Sequence, residues 1–268
     1  IRKATYRTLD GKTSADLTEK VRELVTGGRI PLPVDFQLLG SDPAPGIVKE
    51  LVVDYTLDGK DGSSAARDSE VLHIPRQPTG DVAWWFRRDF DLAAAPASAL
   101  VTVHTPAYFE LYVNGVKAGD DVLTPAFSDL PDTTFTVTYD VAKLLRPGRN
   151  TLGIWLGMGW STPKNFGWDT AMGFRAQLNA VVDGKDLVLG SDDQWKARPS
   201  HYSRIGGREW NHFGGERIDA AFDFPDWAKP GIDTSAWLTP VVMSKPAAAG
   251  KPVNHNAPLS HIGKRIAA

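Results

Sequence analysis

The sequence predicts an all-β protein, a β-sandwich preceded by a small β-rich domain. Three observations carry this. The 268 residues include 25 Gly and 19 Pro, which punctuate the chain into short segments. Those segments are filled by β-branched and aromatic residues. From residue 81 onward they recur about every eight to twelve residues, interrupted by one short helix.

The first 75 residues read as a module of their own. Ala4-Thr5-Tyr6 is a strand. Asp16–Val25 carries apolar residues at 17, 21, 24 and 25, the spacing of a short helix, and Gly27-Gly28 ends it. Ile30–Val34 is extended, because residues before proline avoid the helical region. Asp42-Pro43-Ala44-Pro45-Gly46 is a turn. Val48–Thr56 alternates as a strand and closes through Leu57–Lys60. Polar Asp61–Ser69 reads as a loop, and Val71–Ile74 as a closing strand.

Pro75–Gly80 reads as a linker. Strands follow at Trp84–Leu92, Ala99–His104 and Tyr108–Val113, the last running into the hairpin signal Asn114-Gly115. Thr133–Tyr139 alternates, with Phe135, Val137 and Tyr139 on one face. Asp140 caps a short helix, Val141–Leu145. Thr151–Leu156, Phe174–Val182, Leu187–Leu189 and Trp195–Ala197 complete the strands. The Pro-, Ala- and Lys-rich stretch 243–268 reads as a linker or tail toward a missing domain. The domains are thus 1–78, 79–242 and 243–268.

Composition excludes several functions. The 30 basic and 32 acidic residues leave a net charge of −2, without the basic excess of a nucleic-acid binder. No apolar run approaches the roughly 20 residues of a membrane-spanning helix. The absence of Cys removes disulfides, thiol catalysis and Cys-based zinc sites. The chain starts at Ile1, as expected of a processed or trimmed protein. There is neither a Gly-Lys-Ser/Thr phosphate loop nor a Gly-x-Ser-x-Gly elbow, and the six His show no metal spacing. The nine Trp either pack between sheets or form a sugar-binding surface, since a flat indole suits the C–H face of a pyranose.

Residues 80–242 resemble the N-terminal domain of bacterial α-L-rhamnosidases of glycoside hydrolase family 78. The likeness runs in order through Trp85–Leu92, Glu110–Gly115, Gly119–Pro125, Thr138–Val141, Leu144–Gly148, Gly157–Trp160, Ser191–Lys196, Gly215–Ala220 and Trp227–Trp237. The first 75 residues resemble a small domain of unknown function, carried by Leu32-Pro33-Val34, Gly40, Asp42–Gly46 and Lys49–Tyr55. That domain precedes some bacterial glycoside hydrolases and ends some DnaJ-type co-chaperones.

The rhamnosidase resemblance implies a galactose-binding-like sandwich (a jelly roll) without catalytic residues. The family's catalytic carboxylates sit on an (α/α)6-barrel domain, and no matching barrel sequence is present. The chain therefore reads as an accessory piece of a secreted or periplasmic α-L-rhamnosidase-like enzyme. Its expected partners are that barrel and a carbohydrate, not nucleic acid or membrane. One related branch, the family 67 carbohydrate-binding modules, binds L-rhamnose with calcium. The resemblance thus implies L-rhamnose or a related deoxy-sugar of a plant or algal polysaccharide as ligand, and Ca2+ as cofactor.

Calcium needs several hard oxygen ligands, and a sugar needs an aromatic platform beside polar groups. Adjacent Asp120 and Asp121 are either bridged by a cation or a solvated turn. The long Gly-rich loop 157–173 carries Trp160, Asn165, Trp168 and Asp169; long loops tend to carry function. Trp160 and Trp168 either stack on a sugar or plug the sandwich end. The expected sugar-binding residues are Asp120, Asp121, Trp160, Asn165, Trp168 and Asp169, with Asp120, Asp121 and Asp169 as metal ligands. Around the Gly-rich stretch 202–216, Trp210 and His212 are further aromatic candidates, and Glu216 and Asp219 anchor interdomain contacts. The alternative to sugar binding is an interdomain scaffold.

Overall fold

The structure, a computed structural model, describes residues 1–26, 32–57, 59–76, 81–161, 172–205, 215–243, 250–256 and 259–263. The chain divides into two compact units, Ile1–Gln77 and Pro78–Ala268.

The first unit contains β1 (Lys3–Thr8), β2 (Ser14–Asp16), α1 (Thr18–Thr26), β3 (Leu32–Pro33), α2 (Phe36–Leu39), β4 (Lys49–Leu57), β5 (Lys60–Arg67) and β6 (Val71–Leu72). Its main sheet runs β2-β1-β4-β5, and β3 pairs with β6. Alternation in β1 and β4 sends Ala4, Tyr6, Leu51 and Val53 to one face, where Val21 and Leu24 of α1 cover them. The stretch from Asp61, expected to be a loop, is the body of β5. It lacks β-branched residues, but eight paired positions along β4 hold it in the ladder.

A buried cation pins the turn before β4. Lys49 is 3% exposed. Its ammonium donates to Ala44 O (3.2 Å) and Ile47 O (2.7 Å), and forms ion pairs with Asp42 (3.0 Å) and Asp68 (3.3 Å). Tyr6 OH also donates to Asp68. Burial opposes the charge on Asp68, but the hydrogen bonds from Tyr6 and Lys49 outweigh it and hold its carboxyl below the usual range.

The second unit contains β7 (Asp81–Leu92), β8 (Ser98–His104), β9 (Tyr108–Val113), β10 (Val116–Lys117), β11 (Asp121–Val122), β12 (Thr133–Asp140), β13 (Gly148–Gly157), β14 (Arg175–Val182), β15 (Lys185–Gly190), β16 (Lys196–Ile205), β17 (Gly215–Ile218), β18 (Lys251–Asn254) and β19 (Ser260–His261). Two sheets form the sandwich, β10-β9-β13-β7-β16-β17 and β15-β14-β8-β12-β18. Phe109, Leu111, Val113, Leu152, Ile154 and Leu156 from the first meet Val101, Val103, Val137, Tyr139, Ala176 and Leu178 from the second. The fold is thus the all-β sandwich that the strand pattern predicts.

Two local expectations are corrected. The helix expected at Val141–Leu145 is one 3-10 turn, Ala142–Leu144, although Asp140 does accept from Ala142 N (3.0 Å). Arg146-Pro147 stops it before a full α-helical turn is added. The stretch expected to be a linker or tail carries β18, parallel to β12, and β19, antiparallel to β11. An edge strand offers unpaired backbone groups to any nearby chain, so pairing there needs little side-chain pattern.

A third layer covers part of the outer face of the six-stranded sheet. Trp227, Ala228 and Trp237 pack on Trp85, with Trp155, Tyr112, Phe224 and Ile232 around them. Arg87, 1% exposed, anchors that layer. Its guanidinium donates to Trp227 O (2.8 Å) and Lys229 O (3.1 Å), and also to Asp89 and Thr151 Oγ1.

Candidate functional site

Three connections meet at one end of the sandwich. The β8–β9 turn supplies Pro106 O to Trp160 N (3.2 Å), and Thr105 Oγ1 donates to Gly173 O (2.7 Å). The same turn therefore ties down the chain on both sides of residues 162–171. The segment after β11 supplies Pro125 O to Trp160 Nε1 (3.3 Å). Gly159 is required here: its φ is +50°, and a Cβ would lie 2.2 Å from Tyr108 N.

Trp160 is half-buried. Its ring meets Tyr108 edge to face at 5.7 Å and Phe127 at 4.8 Å. Phe127 is 47% exposed, so an aromatic rim faces solvent beside the loop. Trp160 thus has a packing role and also borders solvent. The other loop candidates, Asn165, Trp168 and Asp169, lie outside the described residues, as do Trp210 and His212. Glu216 is exposed on β17, and Asp219 N donates to His201 O (2.9 Å).

Asp120 and Asp121 face different surroundings. Asp121 is 3% exposed; its Oδ2 accepts from Tyr139 OH (2.8 Å), and its carbonyl accepts from Lys117 Nζ (2.7 Å). Burial, with the Asp121 charge beside it, pushes the Tyr139 phenol well above its ordinary pKa. The Asp120 side chain is 90% exposed and lies 3.0 Å from His261 Nδ1. Alternation at the start of β11 separates the two carboxylates, so they do not present their oxygens to one point. Among the described residues no group of three or more His, Asp or Glu is placed to hold a metal ion.

The aromatic layer around Trp227 continues along the outer face of the six-stranded sheet. Trp155 meets Trp85 (6.1 Å), His201 (5.6 Å) and Tyr202 (5.0 Å). Glu110 stands beside Trp155 in the ladder. It accepts from Lys117 Nζ on Oε1 (2.6 Å) and from Tyr112 OH on Oε2 (2.7 Å). Burial lowers the His201 pKa, opposed by Asp223 at 3.6 Å, so the imidazole is neutral near pH 7. Sequence reasoning missed this surface as a site. The available signal was the outward alternation of Tyr108, Glu110 and Tyr112.

Residues 94–258 match the family described as the α-L-rhamnosidase N-terminal domain. The chain belongs to that family. Among curated relatives, an α-L-rhamnosidase of Formosa agariphila is 32% identical over 179 residues, covering 62% of this chain and 18% of the relative. Another, from Alteromonas sp., is 27% identical over 216 residues, covering 78% and 23%. The chain thus spans about a fifth of the length of such relatives. The α-L-rhamnosidase structure from Dictyoglumus thermophilum superposes with a TM-score of 0.58 at 24% identity, covering 76% of this chain and 21% of that one. The Streptomyces avermitilis α-L-rhamnosidase, solved in complex with L-rhamnose, superposes with a TM-score of 0.54 at 20% identity, covering 75% and 23%. These two structures establish the shared fold. Among the described residues no helix is long and apolar enough to cross a membrane.

Proposed function

We propose that this chain is a non-catalytic carbohydrate-binding accessory region of a secreted or periplasmic α-L-rhamnosidase-like glycoside hydrolase. It holds L-rhamnose or a related deoxy-sugar of a plant or algal polysaccharide for a catalytic (α/α)6-barrel domain. The supporting observation is the half-exposed aromatic rim of Trp160 and Phe127, set where the turn at Thr105–Ala107 holds the chain at Trp160 and at Gly173. An indole rim beside polar groups suits one face of a sugar ring. Calcium belongs to the proposal as the ion that the carbohydrate-binding reading carries with it. Of the expected carboxylate donors, Asp120 faces solvent, Asp121 is buried against Tyr139, and Asp169 lies outside the described residues.

Calorimetric titration of the 268-residue chain with L-rhamnose, with and without calcium, tests this. Millimolar binding that Trp160→Ala weakens several-fold is expected. No heat and no chemical-shift change at millimolar sugar would refute it. The buried Asp121–Tyr139 bond favours a second reading, an interdomain scaffold, in which one expected ligand is purely structural. That reading predicts no sugar response in any variant. Neither reading includes turnover, so this chain should leave an aryl rhamnoside intact.

A further inference from the structure

β5 is an edge strand: the main sheet of the first unit runs β2-β1-β4-β5 and stops there. Asp68 N donates to Lys49 O at 3.0 Å, so Lys49 and Asp68 form a hydrogen-bonded pair. Period-two alternation then turns the amides and carbonyls of Gly62, Ser64 and Ala66 toward β4, and those of Asp61, Ser63 and Ala65 away from it. Arg67 continues the outward row, but its own unit caps it. Glu70 N donates to Arg67 O (2.9 Å), and Arg67 N donates to Glu70 Oε2 (2.8 Å). The side chains of Asp61, Ser63, Ala65 and Arg67 are all exposed, on the face away from the core. Among the described residues the outward main-chain groups of Ser63 and Ala65 have no hydrogen-bond partner. Edge strands are usually protected by shortness, a bulge, proline or a mid-strand charge. The opposite edge, β2, is three residues long. β5 instead keeps unbroken register with β4 over eight positions, and no residue between Asp61 and Arg67 is charged.

We propose that the β5 edge is a self-association surface, on which a second copy of this chain adds its own β5 antiparallel across a two-fold axis. This goes beyond the carbohydrate-binding reading and does not depend on it. Charge complementarity selects the partner. Asp61 and Arg67 stand at opposite ends of one exposed row, equally far from Ser64. A two-fold axis at Ser64 sets Ser63 opposite Ala65 of the second copy, where the pair exchanges both main-chain hydrogen bonds, and symmetry repeats the exchange. The same register sets Asp61 opposite Arg67 of the second copy, again twice. Arg67 is available for this contact. Its neighbour across the ladder, Glu50, is already held by Arg7 at 2.8 Å, and among the described residues the Arg67 guanidinium has no ion-pair partner. Asp61 is pre-positioned by Arg2 (2.9 Å) and by Thr56 Oγ1 (2.7 Å), and its carboxylate keeps acceptor capacity. Side chains approach most closely at the non-hydrogen-bonded positions. There the register places Ser64 against itself and Gly62 against Ala66, so nothing bulky collides. A slip of two residues along the strand would lose both ion pairs.

A ladder this short makes a weak, transient interface. Sedimentation equilibrium of the full 268-residue chain from about 5 to 500 µM tests it. The wild type should rise from its monomer mass of 29.2 kDa toward twice that value. Ala65→Pro removes an outward N–H that β4 does not use, a position where an edge strand tolerates proline. That variant should stay at the monomer mass throughout. Arg67→Glu changes only an exposed side chain and sets two carboxylates face to face, so it should weaken association about tenfold. Adding Asp61→Arg to Arg67→Glu exchanges the charges and should restore association. Hydrogen exchange of the β4 amides checks that each variant keeps its sheet. A wild type that stays at 29.2 kDa at the highest concentration overturns the proposal. A dimer that Ala65→Pro leaves intact overturns it too, as does a double variant that associates no better than Arg67→Glu.

Discussion

Among the described residues each unit of this chain buries one cation to hold irregular backbone, and the two use different chemistry. In the first unit Lys49 draws in two carbonyls and two carboxylates from a turn and a neighbouring strand end. In the second, Arg87 joins a strand to the carbonyls of Trp227 and Lys229, with Asp89 and Thr151 completing its partners. The ammonium is a point charge whose donors turn to suit a compact cage. The guanidinium is a planar fork that fixes direction as well as distance. The small unit needs only a turn closed. The larger one must dock a whole segment on a flat sheet, and a directional donor sets where Trp227 lands. That landing covers Gly153, where a Cβ would lie 2.8 Å from the Trp227 ring.

Breaking the stronger anchor should have the largest effect. Arg87→Met removes one partner of Asp89, which keeps Thr151 and Arg149, and frees two carbonyls, a loss of about 3 kcal/mol. All nine Trp lie between residues 84 and 237, so tryptophan fluorescence in a denaturant titration reports the second unit by itself. Lys49→Met should cost less, about 2–3 kcal/mol, because Asp42 and Asp68 are partly solvated. Faster hydrogen exchange in β1 and β4 would register it, with the fluorescence transition unmoved. A fluorescence midpoint that shifts with Lys49→Met would contradict the separation of the two anchors.

Tyr139→Phe should remove about 1–2 kcal/mol from the second unit by leaving the Asp121 carboxylate without its buried donor. If Asp121 also served a ligand, sugar binding would change along with stability; the structural role predicts a stability loss alone. The smallest effect is on pH dependence. Asp68 and Asp89 are both held below the usual carboxylate range in the folded chain. Their contribution is present above the unfolded value near pH 4 and is lost as pH falls through the lower folded values. Asp68→Asn should flatten the acid sensitivity of β1 and β4 exchange and leave the fluorescence-detected acid transition in place.

The strands that carry the sandwich were readable because period-two alternation and turn residues are local properties. Trp84–Leu92, Ala99–His104 and Tyr108–Val113 fall within β7, β8 and β9 for that reason. The strand from Lys60 was missed because Gly62-Ser63-Ser64-Ala65-Ala66 has weak strand preference of its own, and β4 imposes the pairing. The tail strands were missed for the same cause. At the candidate site, residue types suggested Trp160 and its loop, but nothing local distinguishes a buried Asp121 from an exposed Asp120.

By itself, then, the chain's pattern of turns and alternating apolar residues determined a two-unit β protein and pointed to the loop-bearing end of the sandwich. Only the tertiary structure decided which aspartate Tyr139 captures and where Arg87 holds the Trp227 segment. Those outcomes depend on groups far apart in sequence meeting at a few ångströms. Hydrogen-bond direction and excluded volume act over that distance, and neither is encoded in a residue's immediate neighbours.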